Sequence, residues 1–84
     1  MSRLGIITGM KTEAGVLHAA ARGRPEPTHP MITVTGGSST RAESAARVFA
    51  GAGAAGLVSF GIAGGLDPTL APGDLLLADE VLTP

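Results

Sequence analysis

The sequence predicts an α/β fold in which a mixed or mostly parallel sheet is flanked by helices. Short apolar runs alternate with segments of helical periodicity, and a glycine follows each of the first three runs. This alternation is typical of parallel sheets, in which ligands bind at the carboxyl ends of the strands. We therefore expect three glycine-containing turns, after Thr8, Thr35 and Phe60, to lie at one edge of the sheet.

The first strand is predicted at Leu4–Thr8, where a short apolar run is closed by Gly9. A helix follows, because apolar residues then recur at helical spacing, at Met10, Ala14, Leu17 and Ala21. Residues 22–30 contain three prolines and predict a loop. The β-branched residues in the stretch 31–35 predict the second strand.

The second half of the chain predicts one more helix and two more strands. Thr40 and Glu43 have the spacing of a capping box at the start of a helix that runs to about residue 52. Its apolar face comprises Ala42, Ala45, Ala46, Phe49 and Ala52. Glu43 and Arg47 are spaced to form an ion pair on the opposite face. Strands are predicted over residues 57–60 and 74–79, and residues 81–82 can extend the latter.

Composition excludes several functional classes. The net charge is −1 and no basic patch with interleaved aromatic residues is present, so we expect no nucleic-acid partner. There are no cysteines, and His18 and His29 are isolated, so we expect no metal site. No apolar run is long enough to span a membrane, and none resembles a secretory signal core. We expect a cytoplasmic protein.

Residues 51–56 match the spacing G-x-G-x-x-G of dinucleotide-binding turns. That motif follows a strand and opens a helix, whereas these glycines close a predicted helix and precede a strand. We therefore interpret them as a helix C-terminus and a tight connection, and we expect no dinucleotide cofactor.

Two places carry side chains suited to chemistry. The turn at residues 36–41 lies between a strand and a helix, where free N–H groups, hydroxyls and Arg41 can bind an anion. An ordinary N-cap turn with a solvated arginine explains the same residues.

Glu13, early in the first helix, can act as a general base or orient a water or a sugar hydroxyl. A favourable interaction with the helix dipole also explains its position.

Three blocks together resemble the superfamily of purine nucleoside phosphorylases and nucleosidases. They are residues 5–14, residues 35–39, and the segment Ser-Phe-Gly-Ile-Ala-Gly-Gly-Leu at 59–66, with Pro-Gly-Asp at 72–74. The branch most resembled contains the methylthioadenosine/S-adenosylhomocysteine nucleosidases and the hopanoid-associated phosphorylase. Two features are most similar to the hopanoid-associated phosphorylase. One is the short proline-rich link between the first helix and the second strand, and the other is the sequence of the third block.

The resemblance implies cleavage of the purine N-glycosidic bond of a nucleoside by phosphate or by water. Glu13 matches the glutamate that activates the nucleophilic water in nucleosidases. The implied substrate-binding residues are Gly9, Met10, Gly37, Ser38, Ala63 and Gly64. Ser59 and Ile62 stand where some phosphorylases carry an arginine and a serine on phosphate. A phosphate co-substrate therefore has to be bound by Gly36, Ser39 and Arg41, and no other cofactor is implied.

Domains of this family are much longer than 84 residues. In these domains, the C-terminal half supplies a segment that binds the ribose hydroxyls and an aspartate that protonates the purine. We therefore expect residues 1–84 to be the N-terminal part of a single, incomplete domain, inactive alone and homo-oligomeric when complete. The alternatives are a hydrolytic nucleosidase of the same superfamily, a small non-catalytic module that binds phosphate or a nucleotide, and a remnant without a stable fold.

Overall fold

A computed structural model describes residues 3–82 and contains a three-stranded sheet with two α-helices. The elements in chain order are strand β1 (Leu4–Thr8), helix α1 (Lys11–Ala21), a 3-10 turn (Glu26–Thr28), strand β2 (Met31–Val34), helix α2 (Ser39–Gly51) and strand β3 (Gly56–Phe60). The helices lie between consecutive strands, as a parallel sheet requires of its crossovers. The predicted α/β fold is confirmed.

Strand β1 is the centre of the sheet, which has the order β2-β1-β3. Both neighbours run parallel to it, and Ile6 lies opposite Ile32 on one side and Val58 on the other. Because all three strands point the same way, their carboxyl ends lie at one edge. The turns that follow them are therefore brought together by the sheet itself.

The core lies between β1 and the two helices. Its buried apolar side chains, within the described part of the chain, are Ile6, Ala14 and Ala21. Helix α2 packs directly against the backbone of β1, because a Cβ atom built on Gly5 would lie 2.6 Å from Cδ2 of Phe49. Glycine at position 5 therefore permits a close contact between α2 and the central strand.

Helix α2 begins earlier than the sequence predicts. Its N-cap is Ser38, whose Oγ accepts a hydrogen bond of 3.2 Å from the N–H of Arg41. The predicted capping box of Thr40 and Glu43 is therefore wrong, because a tight turn already places Ser38 at the cap. Glu43 forms the predicted ion pair with Arg47, at 2.7 Å. The helix ends at Gly51, so the interpretation of residues 51–56 as a helix end and connection is confirmed.

The predicted fourth strand over residues 74–79 is also wrong. Within residues 61–82 the backbone forms turns and irregular structure, because no neighbouring strand offers it a ladder of hydrogen bonds. Asp74, which follows a proline and a glycine, instead closes a turn: its N–H donates to Ala71 O and its Oδ2 accepts from Ala71 N. In a second turn, hydrogen bonds from the backbone and side chain of Thr69 hold the pKa of Asp67 below its ordinary value.

We expect Gly5→Ala to lower the free energy of unfolding by about 1–3 kcal/mol, because the added methyl group overlaps the ring of Phe49. The matched control is Gly15→Ala on α1, where an added Cβ meets no atom within 4 Å. That change replaces a helical glycine and should stabilise the chain by about 0.5–1 kcal/mol. Urea unfolding followed by far-ultraviolet circular dichroism measures both. Equal stability of the two variants would contradict the proposed packing of Phe49.

Candidate functional site

The turns after the three strands line an open, shallow cavity of about 410 Å³ at the carboxyl edge of the sheet. Each turn contributes to its lining, which comprises Gly9, Met10, Glu13, Gly36, Gly37, Ser59, Phe60 and Gly61. The predicted convergence of the three glycine turns is therefore confirmed. Half of these lining residues are glycines, so a ligand can approach the backbone closely at several points.

Two buried threonines join the ends of β1 and β2. Both the N–H and the hydroxyl of Thr35 donate to Thr8 O, at 2.9 and 3.2 Å. The hydroxyl of Thr8 lies 3.3 Å from Thr33 O, within reach of donating to it. These bonds fix the spacing of the first two turns. Neither threonine was predicted as a site residue, although each stands at the end of an apolar run that predicts a strand.

The second turn depends on two glycines in the left-handed region. Gly36 and Gly37 have φ angles of 65° and 78°, and Ser38 N donates to Thr35 O across the turn at 3.2 Å. Residues with a Cβ rarely adopt these angles, so this turn requires glycine for its conformation. Arg41 lies beside it, with Nη1 4.0 Å from the position of a Cβ built on Gly36.

Glu13 is a buried residue, 5% exposed, at the beginning of α1. Its Oε1 accepts hydrogen bonds from Gly9 N at 3.2 Å and from Met10 N at 3.0 Å. These N–H groups precede the first turn of the helix and have no intrahelical partner. Glu13 thus has the helix-terminal role that its position indicates, and it also lines the cavity.

The same carboxylate reaches the third turn. Oε2 of Glu13 accepts a hydrogen bond of 2.8 Å from the backbone N–H of Ile62. A Cβ built on Gly61 would lie only 2.9 Å from this oxygen. Glu13 therefore ties the turn after β1 to the turn after β3. The sequence contains no signal for this contact, because a backbone donor carries no side-chain signature.

The structure brings together five of the ten predicted site residues. Gly9, Met10, Glu13, Gly36 and Gly37 line the cavity. Of the described residues, five predicted ones lie outside this lining: Ser38, Ser39, Arg41, Ala63 and Gly64. Ala63 lines a second cavity, of about 580 Å³, which is bounded largely by residues 70–74 and shares Gly61 with the first. Gly64 is exposed.

Residues 3–82 were also compared with the requirements of a metal site and of a membrane-spanning helix. No group of three or more His, Cys, Asp or Glu residues there is arranged to hold a metal ion. No helix in that range has the length and apolarity needed to cross a membrane.

The chain matches the family model of the phosphorylase superfamily over residues 3–83. This match spans almost the whole sequence, and the chain belongs to the phosphorylase superfamily. Searches of curated proteins and of solved structures found no significant match. Membership indicates nucleoside phosphorylase or nucleosidase activity in general, with a small-molecule nucleoside as substrate.

The two adjacent serines at the start of α2 give a direct test of the second turn. We expect Ser38→Ala to lower the free energy of unfolding by about 1 kcal/mol, because it removes the N-cap bond to Arg41 N. Ser39→Ala, one residue later in the helix, should change it by less than about 0.5 kcal/mol. Urea unfolding measures both variants, and a larger loss for Ser39→Ala would contradict the observed cap.

Proposed function

We propose that this chain supplies the strand-end part of a purine nucleoside phosphorylase site, where phosphate cleaves the N-glycosidic bond. One observation carries the proposal: the buried Glu13 carboxylate lies where the three strand-end turns meet, in a chain of the phosphorylase superfamily. The purine base, the use of phosphate and the kinship with the hopanoid-associated phosphorylase come from the resemblance of the sequence motifs.

In the proposed reaction, the bond between the anomeric carbon and the purine nitrogen breaks, and its electron pair remains with the purine. A phosphate oxygen forms the new bond to the same carbon. Glu13 accepts a hydrogen bond from a reacting or ribose oxygen, so its negative charge faces the positive charge that develops on the sugar. Gly9, Met10 and Gly37 line the cavity beside it and would contact the ribose.

The proposed phosphate position is the second turn, at Gly36, Ser39 and Arg41. The guanidinium of Arg41 lies beside Gly36, and the exposed Ser39 begins α2, whose N-terminus favours an anion. The hydroxyl of Ser38 accepts from Arg41 N and retains its own proton for donation. Phosphate is thus a co-substrate in this proposal, and no further cofactor is required.

Ala63 and Gly64 are proposed to lie along the nucleoside. Gly61 belongs to the lining of both cavities, so a ligand that extends from the first into the second passes the backbone that follows Gly61. The lack of side-chain bulk at positions 61, 63 and 64 favours this path.

A hydrolytic nucleosidase of the same superfamily is the second candidate. It is favoured by Glu13, whose carboxylate lines the cavity and can orient a water molecule. It is also favoured by Ser59 and Ile62, which stand where some phosphorylases bind phosphate. Dependence of the reaction on added phosphate separates the two candidates.

We also propose that residues 1–84 are the N-terminal part of one nucleoside phosphorylase-like domain, in a cytoplasmic protein that is homo-oligomeric when complete. The chain exposes 6686 Å² of surface, whereas a compact monomer of 8.3 kDa exposes about 4,600 Å². The difference exceeds the roughly 800 Å² that each partner buries in a standard interface. Large apolar side chains contribute to this surface, including Leu66, Leu75, Leu76, Leu77, Val81 and Leu82.

The domain proposal predicts that the natural gene product has an intact mass well above the 8.3 kDa of this chain. Mass spectrometry of the protein purified from its host measures this directly. The 84-residue chain by itself should release no purine from nucleosides, because the resemblance places the purine-protonating aspartate outside it. A natural mass of 8.3 kDa, or purine release by the short chain, would contradict this proposal.

The catalytic proposal predicts phosphate-dependent release of purine by the natural gene product. Glu13→Ala should reduce kcat/KM by about 10²–10⁴-fold, since it removes the carboxylate at the cavity. Glu43→Ala is the matched control, because Glu43 lies on the exposed face of α2 and pairs with Arg47. Release without phosphate would identify the nucleosidase. Phosphate or nucleotide binding without purine release would identify a binding module.

A further inference from the structure

The hydrogen bonds of Glu13 leave little of its carboxylate free. A carboxylate offers about four acceptor positions, two on each oxygen. Oε1 uses two of them for Gly9 N and Met10 N, and Oε2 uses one for Ile62 N. One position therefore remains, and it belongs to Oε2.

We propose that Gly61 and the backbone N–H of Ile62 are positioning elements that direct this last acceptor position of Glu13 into the cavity. The inference rests on the proposed function and limits the number of hydrogen bonds that Glu13 can accept from a ligand. Glu13 can accept one hydrogen bond from a ligand, from a single water or hydroxyl oxygen, and cannot bridge two hydroxyl groups with both of its oxygens.

Gly61 is required for space and not for backbone conformation. Its φ is not positive, unlike those of Gly36 and Gly37. A Cβ at position 61 would lie 2.9 Å from Oε2 and 3.5 Å from Cδ of Glu13. The carboxylate is held by bonds on both oxygens, so it cannot move aside without breaking at least one of them.

Ile62 contributes its backbone and not its side chain. The residue is 84% exposed, although its N–H bonds the buried carboxylate at 2.8 Å. Other residues with an N–H should therefore replace isoleucine without loss of the bond. The bond to Glu13 is therefore compatible with an apolar side chain at this position.

The bond can be observed directly by nuclear magnetic resonance on the full 84-residue chain. A scalar coupling across the hydrogen bond should connect the amide nitrogen of Ile62 with the side-chain carboxyl carbon of Glu13. The Ile62 amide should also exchange slowly with solvent. Ile62→Val should preserve both signals, and so should Gly23→Ala, the matched control, where an added Cβ meets no atom within 4 Å.

Gly61→Ala should abolish the coupling and accelerate exchange of the Ile62 amide by at least about tenfold. If that variant does not fold, Glu13→Asp takes its place, because a side chain one methylene shorter cannot reach both turns. Absence of the coupling in the unmodified chain, or its persistence in the folded Gly61→Ala variant, would overturn the inference.

An activity measurement on the natural gene product separates this inference from the proposed function. Gly61→Ala should lower kcat by about 10²-fold with little change in KM, the effect of a misplaced reactive group. Gly23→Ala, which lies outside both cavities, should retain kcat. If the coupling behaves as expected and the unmodified protein releases no purine, the positioning role stands and the proposed function fails.

Discussion

The arrangement of this molecule depends on one buried carboxylate. Burial of an ionised group is unfavourable unless hydrogen bonds replace its water, and Glu13 obtains them from three backbone N–H groups. Two of these donors precede α1 and the third follows β3. The need to satisfy one charge therefore fixes the relative positions of the turn before α1 and the turn after β3, although Glu13 and Ile62 are 49 residues apart along the chain.

Strand β1 makes this contact possible. It pairs with a parallel strand on each side, so the turn after it lies between the other two. Gly5 admits Phe49 against its backbone, and Thr8 and Thr35 hold its end against β2. Glycines serve two separate physical purposes here: Gly36 and Gly37 permit positive φ angles, whereas Gly5 permits close approach of a neighbouring group.

The local elements could be predicted from sequence because their signals are local. Apolar periodicity and glycine punctuation located β1, both helices, β2 and β3 to within one or two residues. The strand at 74–79 could not be judged in this way, since an apolar run becomes a strand only beside a partner. Glu13 was predicted as a site residue from its place after β1. Its partner at Ile62 was not, because any residue except proline supplies the same backbone donor.

The second cavity connects the site to the exposed apolar chain that follows β3, because it is lined both by Gly61 and by residues of that chain. Ile62 is anchored by Glu13, but the chain beyond it has few hydrogen bonds within the described part and exposes most of its large apolar side chains. Leu76 lines this cavity and is nevertheless 70% exposed. A protein surface that covers this leucine would therefore also complete the cavity wall.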